Sequence, residues 1–276
     1  MRVESLQGKV ALVTGASRGL GQAFAIGLAK VGVNVGLTAR IEADLAETLK
    51  SVQQSGASGL AIPTDVSKRA EVESLVANVE SELGPIDLLV NNAGVGEPFG
   101  PTWETDPDAW WRCQEVNVRG PMLCSHVVLG GMVKRKRGRI INIASGAGTA
   151  PIPYMSAYVT SKAALIRLSE VLAEELRPHG ITVFSVQPGA VRTRMVEQIF
   201  SSPRALQYFP WLEQMYQSGQ NVTAEPATRL VLFLASGAAD KLSGRFFNVA
   251  EDPEEVMSRA EQILAGDLYS LRMRFK

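Results

Sequence analysis

The sequence is short of several features that would assign it to a special class of protein. Of 276 residues only two are cysteine, Cys113 and Cys124. They lack metal-ligand spacing and give no disulfide framework, so they are expected to be buried or half-buried thiols in a reducing cytosol. Net charge is missing too: Lys plus Arg and Asp plus Glu are each 28. No global field would draw the chain to nucleic acid or an anionic membrane. No apolar run reaches the roughly 18 residues of a membrane span. The opening MRVESLQGKVALVTG lacks the charged region, apolar stretch and small-residue cleavage site of a secretory signal. The expectation is a cytoplasmic protein with no metal, nucleic-acid or membrane partner. What is present is core material: 46% hydrophobic and 20% charged residues. That suits an ordered chain with one α/β domain or two small ones.

One basic run, Lys134-Arg135-Lys136-Arg137-Gly138-Arg139, has the composition of a nuclear or nucleic-acid signal. It also lies where a helix gives way to a strand. Cations complement a helix C-terminus there, and Gly138 suits the C′ position. A structural role is the expectation.

Short apolar runs at 9–14, 33–38, 60–63, 86–90, 139–145 and 181–187 alternate with helical spacing at 22–31, 41–54, 71–83, 107–136 and 156–177. Strands that are apolar without alternation belong to a parallel sheet covered on both faces. Repeated β-α-β units require right-handed crossovers. The pattern predicts an α/β fold: a doubly wound, Rossmann-like parallel sheet with helices on both faces. It forms one domain over 1–252, which includes a long loop at 194–222, followed by a helical extension over 253–276. In the extension Asp252 is a cap and Pro253 the first helical residue. Val256, Ala260, Ile263 and Leu264 make one apolar stripe, and Gly266 stops the helix. Residues 271–275 alternate apolar and basic, as an extended segment with one buried face would.

Thr14-Gly15-Ala16-Ser17-Arg18-Gly19-Leu20-Gly21 lies between the first strand and the first helix, the context of a dinucleotide-binding loop. Gly15 permits a tight turn, Gly19 lets the backbone approach a pyrophosphate, and Gly21 lets helix and strand pack closely. The helix N-terminus supplies N–H donors and positive dipole. An acidic residue at the tip of the second strand would select NAD. Here the tip reads Leu37-Thr38-Ala39-Arg40. Arg40 can fork onto a 2′-phosphate and Arg18 can reach the same group, which favours NADP(H).

Tyr158 and Lys162 are four apart at the start of a helix, so they share a face. A neighbouring ammonium stabilises phenolate, and Tyr158 becomes a candidate proton donor or acceptor at a substrate oxygen. Ser145 ends a buried strand, where an active-site rim is expected, and its hydroxyl can polarise the same oxygen.

With TGASRGLG at 14–21, Asp65, NNAG at 91–94, Asn117, Ser145, Tyr158-x-x-x-Lys162, and Pro188-Gly189 before Thr193, the chain resembles the short-chain dehydrogenase/reductase family. The likeness spans roughly residues 9–249 and is nearest to 3-oxoacyl-[acyl-carrier-protein] reductases and secondary-alcohol dehydrogenases. The resemblance implies that Tyr158 is the general acid/base. It implies that Lys162 lowers the Tyr158 pKa and holds the nicotinamide ribose, and that Ser145 orients the substrate. Asn117 would position a water linking Lys162 to solvent. Gly15, Ser17, Arg18, Gly19, Leu20 and Arg40 would hold the phosphates. Asp65 and Val66 would meet the adenine, and Asn91 and Ala93 would border the cofactor, Asn91 also tying the central strands together. Pro188, Val191 and Thr193 would hold the nicotinamide end.

The expected function is NADP(H)-dependent hydride transfer between nicotinamide and a ketone or secondary alcohol, in a homotetramer or homodimer. The alternatives are a cofactor-binding regulatory protein on the same fold, or a dehydratase or epimerase without net cofactor turnover. The aromatic residues Phe200, Tyr208, Phe209, Trp211 and Tyr216 suit either a lid over a hydrophobic substrate or packing within the fold. Glu97 and Phe99 are expected on the opposite wall. The residues after the last strand, and Ala224-Glu225-Pro226 before the preceding helix, depart from the family pattern.

Overall fold

A computed structural model describes residues 5–191, 194–217 and 223–273. The apolar runs form seven strands: β1 (Val10–Thr14), β2 (Asn34–Ala39), β3 (Gly59–Pro63), β4 (Leu88–Asn91), β5 (Gly138–Ile143), β6 (Ile181–Gln187) and β7 (Phe246–Asn248). They pair in parallel in the order β3-β2-β1-β4-β5-β6-β7. Between them run α1 (Gly19–Lys30), α2 (Ala46–Gln54), α3 (Arg69–Glu82), α4 (Pro107–Gln114), α5 (Gly120–Arg135) and α6 (Ser156–Leu176). After β6 come α7 (Arg194–Phe200), α8 (Pro203–Tyr208), α9 (Pro210–Gln217) and α10 (Glu225–Ala235), and after β7 come α11 (Pro253–Ser258) and α12 (Ala260–Ala265).

Successive residues of one strand serve opposite cores, which is why the strands show no polar alternation. Val13, Val90, Ile141 and Val186 meet Phe24, Leu28 and Leu230 on one face. Leu12, Leu89, Ile140 and Val183 meet Leu75, Val79 and Leu123 on the other. Each such buried side chain contributes roughly 1.5–3 kcal/mol relative to exposure. The strand order reverses between β1 and β4, and this switch point opens a crevice at the carboxyl ends of the strands.

Helical spacing at 107–136 predicts one long helix. The structure divides it, with a π-helical turn at Glu115–Arg119 between α4 and α5. The cause is Pro121, which has no N–H to donate to the carbonyl four residues back, that of Asn117.

The basic run is structural. Arg135 donates to the Ile86 carbonyl at 2.8 Å, Arg137 pairs with Asp87 at 2.8 Å, and Arg139 pairs with Asp240 at 2.7 Å. Gly138 is not the C′ residue. Lys136 takes the left-handed conformation that ends α5 (φ 51°), while Gly138 opens β5. A Cβ on Gly138 would lie 2.3 Å from the Met132 sulfur, so close packing explains that glycine.

In the extension Asp252 caps the N–H groups of Glu254 and Glu255 at 2.8 and 3.2 Å, with Pro253 first in the helix. Val256, Ala260 and Ile263 are buried in the main core, but Arg259 breaks the helix and Leu264 is 39% exposed, outside the stripe. Gly266 ends α12 with φ −88°, and the left-handed residue is Asp267. The following segment lies along β7, where the Tyr269 carbonyl accepts from Phe246 N at 2.9 Å. Leu271 packs beside Ala144, Leu165 and Ile166, whereas Met273 is 78% exposed, so 271–273 does not present one buried face. Arg274 and Phe275 lie outside the described residues.

Candidate active site

Positive φ at Gly15 (65°) and Gly19 (55°) turns the chain from β1 into α1. A Cβ on Gly21 would stand 2.1 Å from the Gly15 carbonyl oxygen, so only glycine fits there. Asn92 fastens this loop to the end of β4. Its amide nitrogen Nδ2 donates to the Thr14 and Gly15 carbonyls at 3.0 and 3.1 Å, while Thr14 Oγ1 accepts from Asn92 N and Ala93 N, both at 3.0 Å. Sequence reasoning singled out Asn91 and passed over Asn92, although the signal was the second Asn of NNAG. Asn91 lies behind the crevice: it is buried and donates to Asn142 Oδ1 at 2.8 Å, tying β4 to β5.

The loop opens on a cleft of ≈ 840 Å³. At the phosphate end it is lined by Gly15, Ser17, Arg18, Gly19, Leu20 and Arg40, and farther along by Asp65, Val66 and Ala93. Arg40 is exposed and has no ion pair among the described residues. Arg18 is differently placed from its expectation: its Nη2 pairs with Asp44 Oδ2 at 2.9 Å. Both partners are half-exposed, so the pair is worth at most about 1 kcal/mol and is readily exchanged for a phosphate. Asp65 accepts from Ser67 N and Oγ at 3.0 and 2.7 Å and from Arg112 Nη2 at 2.7 Å. Burial pulls the Asp65 carboxyl up, but the bonds from Ser67 and Arg112 together hold it below its ordinary value. Nothing in the sequence pattern pointed to Arg112.

At the other end the cleft is lined by Ser145, Tyr158, Lys162, Pro188 and Val191. Thr193 lies outside the described residues. Tyr158 and Lys162 share a face of α6, with Lys162 Nζ 5.5 Å from the Tyr158 ring centroid. The ammonium donates to the Ile143 carbonyl at 2.8 Å. The expected depression of the Tyr158 pKa by Lys162 is not what the geometry gives. Burial pushes the phenol above its usual value, and the neighbouring Ser145 hydroxyl draws it part of the way back. Lys162 is 4% exposed, and burial pulls its pKa down to about 8.

Asn117 does not line the cleft but stands directly behind it, fully buried in the π-helical turn. Its Oδ1 accepts from Val95 N at 2.8 Å, and its Nδ2 donates to Val95 O at 2.8 Å and Ser161 Oγ at 2.9 Å. Cys113 and Cys124 are both buried, and burial lifts the Cys124 thiol to about 12.

The segment α7–α9 divides its aromatic residues between the two expected roles. Phe209 is buried against Met155, Ile199 and Leu212, edge-on to Phe99 at 5.7 Å, and Tyr208 lies over Tyr154 at 4.4 Å. Phe209, Trp211 and Leu212 also line the cleft. The side chain of Tyr216 lies outside what is described. Glu97 is exposed, and neither Glu97 nor Phe99 reaches the cleft wall. Pro226 sits in the first turn of α10, so the rearranged Ala224-Glu225-Pro226 still starts that helix.

A glycine-cradled helix N-terminus and a Ser-Tyr-Lys group opening on one cleft at a switch point define a nicotinamide-dependent oxidoreductase of short-chain type. Residues 9–204 match the family described as short chain dehydrogenase, and the chain belongs to that family. A short chain dehydrogenase of Pseudocercospora fijiensis is 36% identical over 93% of this chain and 85% of that protein. Two crystal structures share the fold. An NAD+-bound xylitol dehydrogenase has TM-score 0.81 and 29% identity, over 89% of this chain and 98% of its own. A variant actinorhodin polyketide ketoreductase with NADPH has TM-score 0.80 and 33% identity, over 89% and 97%. The same fold thus carries either dinucleotide. Among the described residues no helix is long and apolar enough to cross a membrane, and no group of three His, Cys, Asp or Glu side chains is placed to hold a metal.

Proposed function

We propose that the protein interconverts a ketone and a secondary alcohol using NADP(H), with Tyr158 exchanging the proton at the substrate oxygen. The observation that carries this reading is that Ser145, Tyr158 and Lys162 line the same cleft as the glycine loop, with Tyr158 and Lys162 on one face of α6. The cleft fits a dinucleotide: Gly15, Gly19, Leu20 and Gly21 line it, so a pyrophosphate there would lie against the start of α1. Arg40, with Arg18 released from Asp44, would hold the 2′-phosphate. Asp65 and Val66 would meet the adenine, and Pro188, Val191 and Thr193 would hold the nicotinamide end. When bound, the nicotinamide supplies or receives the hydride.

The chain's own residues handle the oxygen and the proton. Ser145 orients the carbonyl oxygen, and Tyr158, protonated at neutral pH because burial holds its pKa high, donates to it. Lys162 would bind the ribose and stands beside Asn117, whose carbonyl would hold the water that returns a proton from solvent. The apolar wall of Ile152, Met155, Val196, Phe209 and Leu212 suits a hydrophobic substrate. Exposed Trp111 on α4, Met122 on α5 and Val171 on α6 support a homo-oligomer, tetramer or dimer, assembled through these helices. The test is loss of reduced-nicotinamide absorbance with a panel of ketones. Turnover that requires Tyr158 supports the reading. A protein that binds NADPH and reduces none of them contradicts it.

A further inference from the structure

Gln187 ends β6 and lines the cleft immediately before Pro188-Gly189. Its backbone is engaged, its carbonyl accepting from Val249 N at 3.1 Å, but its half-buried carboxamide makes no hydrogen bond with any described residue. Its donor and acceptor thus face the cleft and are free to meet a ligand.

The position of the amide is set by its neighbour. Gly146 follows Ser145, and a Cβ there would lie 2.5 Å from Gln187 Oε1, 3.0 Å from Cδ and 3.2 Å from Nε2. The amide therefore occupies the space that any other residue at 146 would fill. Ser145, Gly146 and Gln187 line the same cleft, so the amide and the hydroxyl that orients the reacting oxygen face one substrate space. Around it the wall is apolar: Ile152, Met155, Val196, Phe209 and Leu212.

Resting on the reductase reading above, we propose that Gln187 is a specificity-determining residue. It binds a second neutral oxygen, carbonyl or hydroxyl, carried by the substrate beside the reacting carbonyl. The substrate class is then a β-dicarbonyl or hydroxyketone with an apolar remainder. An amide answers either oxygen, donating through Nε2 to a carbonyl or also accepting through Oε1 from a hydroxyl. It offers no charge to a carboxylate or phosphate.

The test compares ethyl 3-oxohexanoate with 2-octanone in the NADPH-loaded enzyme. Gln187→Leu keeps the bulk and removes the hydrogen bonds. It should lower kcat/KM for the ketoester about 3- to 10-fold, the range of one neutral hydrogen bond, and change 2-octanone less than 2-fold. Gly146→Ala displaces the amide from its seat without removing it and should show the same selective loss. An equal loss on both ketones, or none on the ketoester, overturns the assignment. If neither ketone is turned over, the reductase reading fails. The amide is then judged by ketoester binding to the NADP+-loaded protein, followed by tryptophan fluorescence, since Trp211 lines the cleft. Weaker binding by Gln187→Leu supports it. Unchanged binding, or none by either protein, overturns it.

Discussion

Pro121 stands four residues beyond Asn117, at the position whose N–H would close an α-helical bond onto the Asn117 carbonyl. Proline has no such hydrogen, and the helix passes through a π-helical turn at that point. The turn holds Asn117 against Val95 and Ser161 behind the cleft. Pro121→Ala restores the donor and removes a helix breaker. Its melting temperature should be equal or higher, since proline in a helix interior costs about 3 kcal/mol. Its turnover should fall at least several-fold if the Asn117 carbonyl serves the proton path. Thermal denaturation and kcat measured on the same preparation check both halves, and an unaltered kcat would remove Asn117 from that path.

Tyr158→Phe should lower kcat by about 10²- to 10⁴-fold, the usual contribution of a positioned acid. NADPH affinity should stay within a few-fold, because the glycine loop and the strand tips are untouched. Steady-state kinetics and fluorescence titration of NADPH decide this. Activity within a few-fold of the parent would exclude the phenol as proton donor.

The pH dependence follows from the same two side chains. Ketone reduction needs the phenol protonated, and burial raises the Tyr158 pKa. The reductive kcat/KM should therefore hold through neutral pH and fall only in the strongly alkaline range. Lys162 has a folded pKa of about 8 against 10.5 unfolded. Between those values the unfolded chain holds a proton that the native chain lacks, so stability from this group rises with pH there. Below pH 8 the buried charge is fully unfavourable. Lys162→Met should abolish turnover yet raise stability near pH 7 by about 2 kcal/mol, after allowing for the lost bond to Ile143. The gain should fade toward pH 10. Urea unfolding at pH 7 and pH 10 measures it, and a mutant less stable at pH 7 would contradict the burial penalty.

Arg40→Asp should cut kcat/KM with NADPH by about 10- to 100-fold, the worth of charge-assisted bonds to a phosphate. NADH should be spared or improved, because a carboxylate there accepts from ribose hydroxyls. Asp44→Asn frees Arg18 and should favour NADPH modestly. Equal efficiency with both cofactors in the parent protein would defeat this reading.

Truncation after Asp252 removes the buried Val256, Ala260 and Ile263 and should lower the melting temperature markedly. Ile263→Ala alone should cost about 2–5 kcal/mol. Denaturant melts check both. A truncated protein as stable as the full chain would make the extension ornamental.

The strands were legible because a two-sided sheet writes uninterrupted apolar runs, and Thr14 to Gly21 was legible because only glycine suits its turns. The Pro253 helix start was equally plain. Other features depend on neighbours distant in sequence and leave no local trace. Arg18 meets Asp44 from another element, Arg112 reaches Asp65 across 47 positions, and Gln187 rests on Gly146 across two strands. The break at Pro121 was written in the chain, but apolar periodicity on both sides of it hid the proline. Arg259 split the last helix without proline or glycine, and this placed Leu264 off the stripe.

The segment from Asp267 to Leu271 has a consequence for what the molecule avoids. A sheet's outermost strands expose backbone groups that invite pairing with another chain. At one border β7 is only three residues long, and its Phe246 N–H is taken by Tyr269. The segment is then clamped to α6: Glu170 accepts from Leu271 N at 2.7 Å and from Arg272 at 2.9 Å. At the opposite border β3 ends in Pro63, which has no N–H to offer. Sheet-to-sheet growth into fibrils is thus discouraged at both borders.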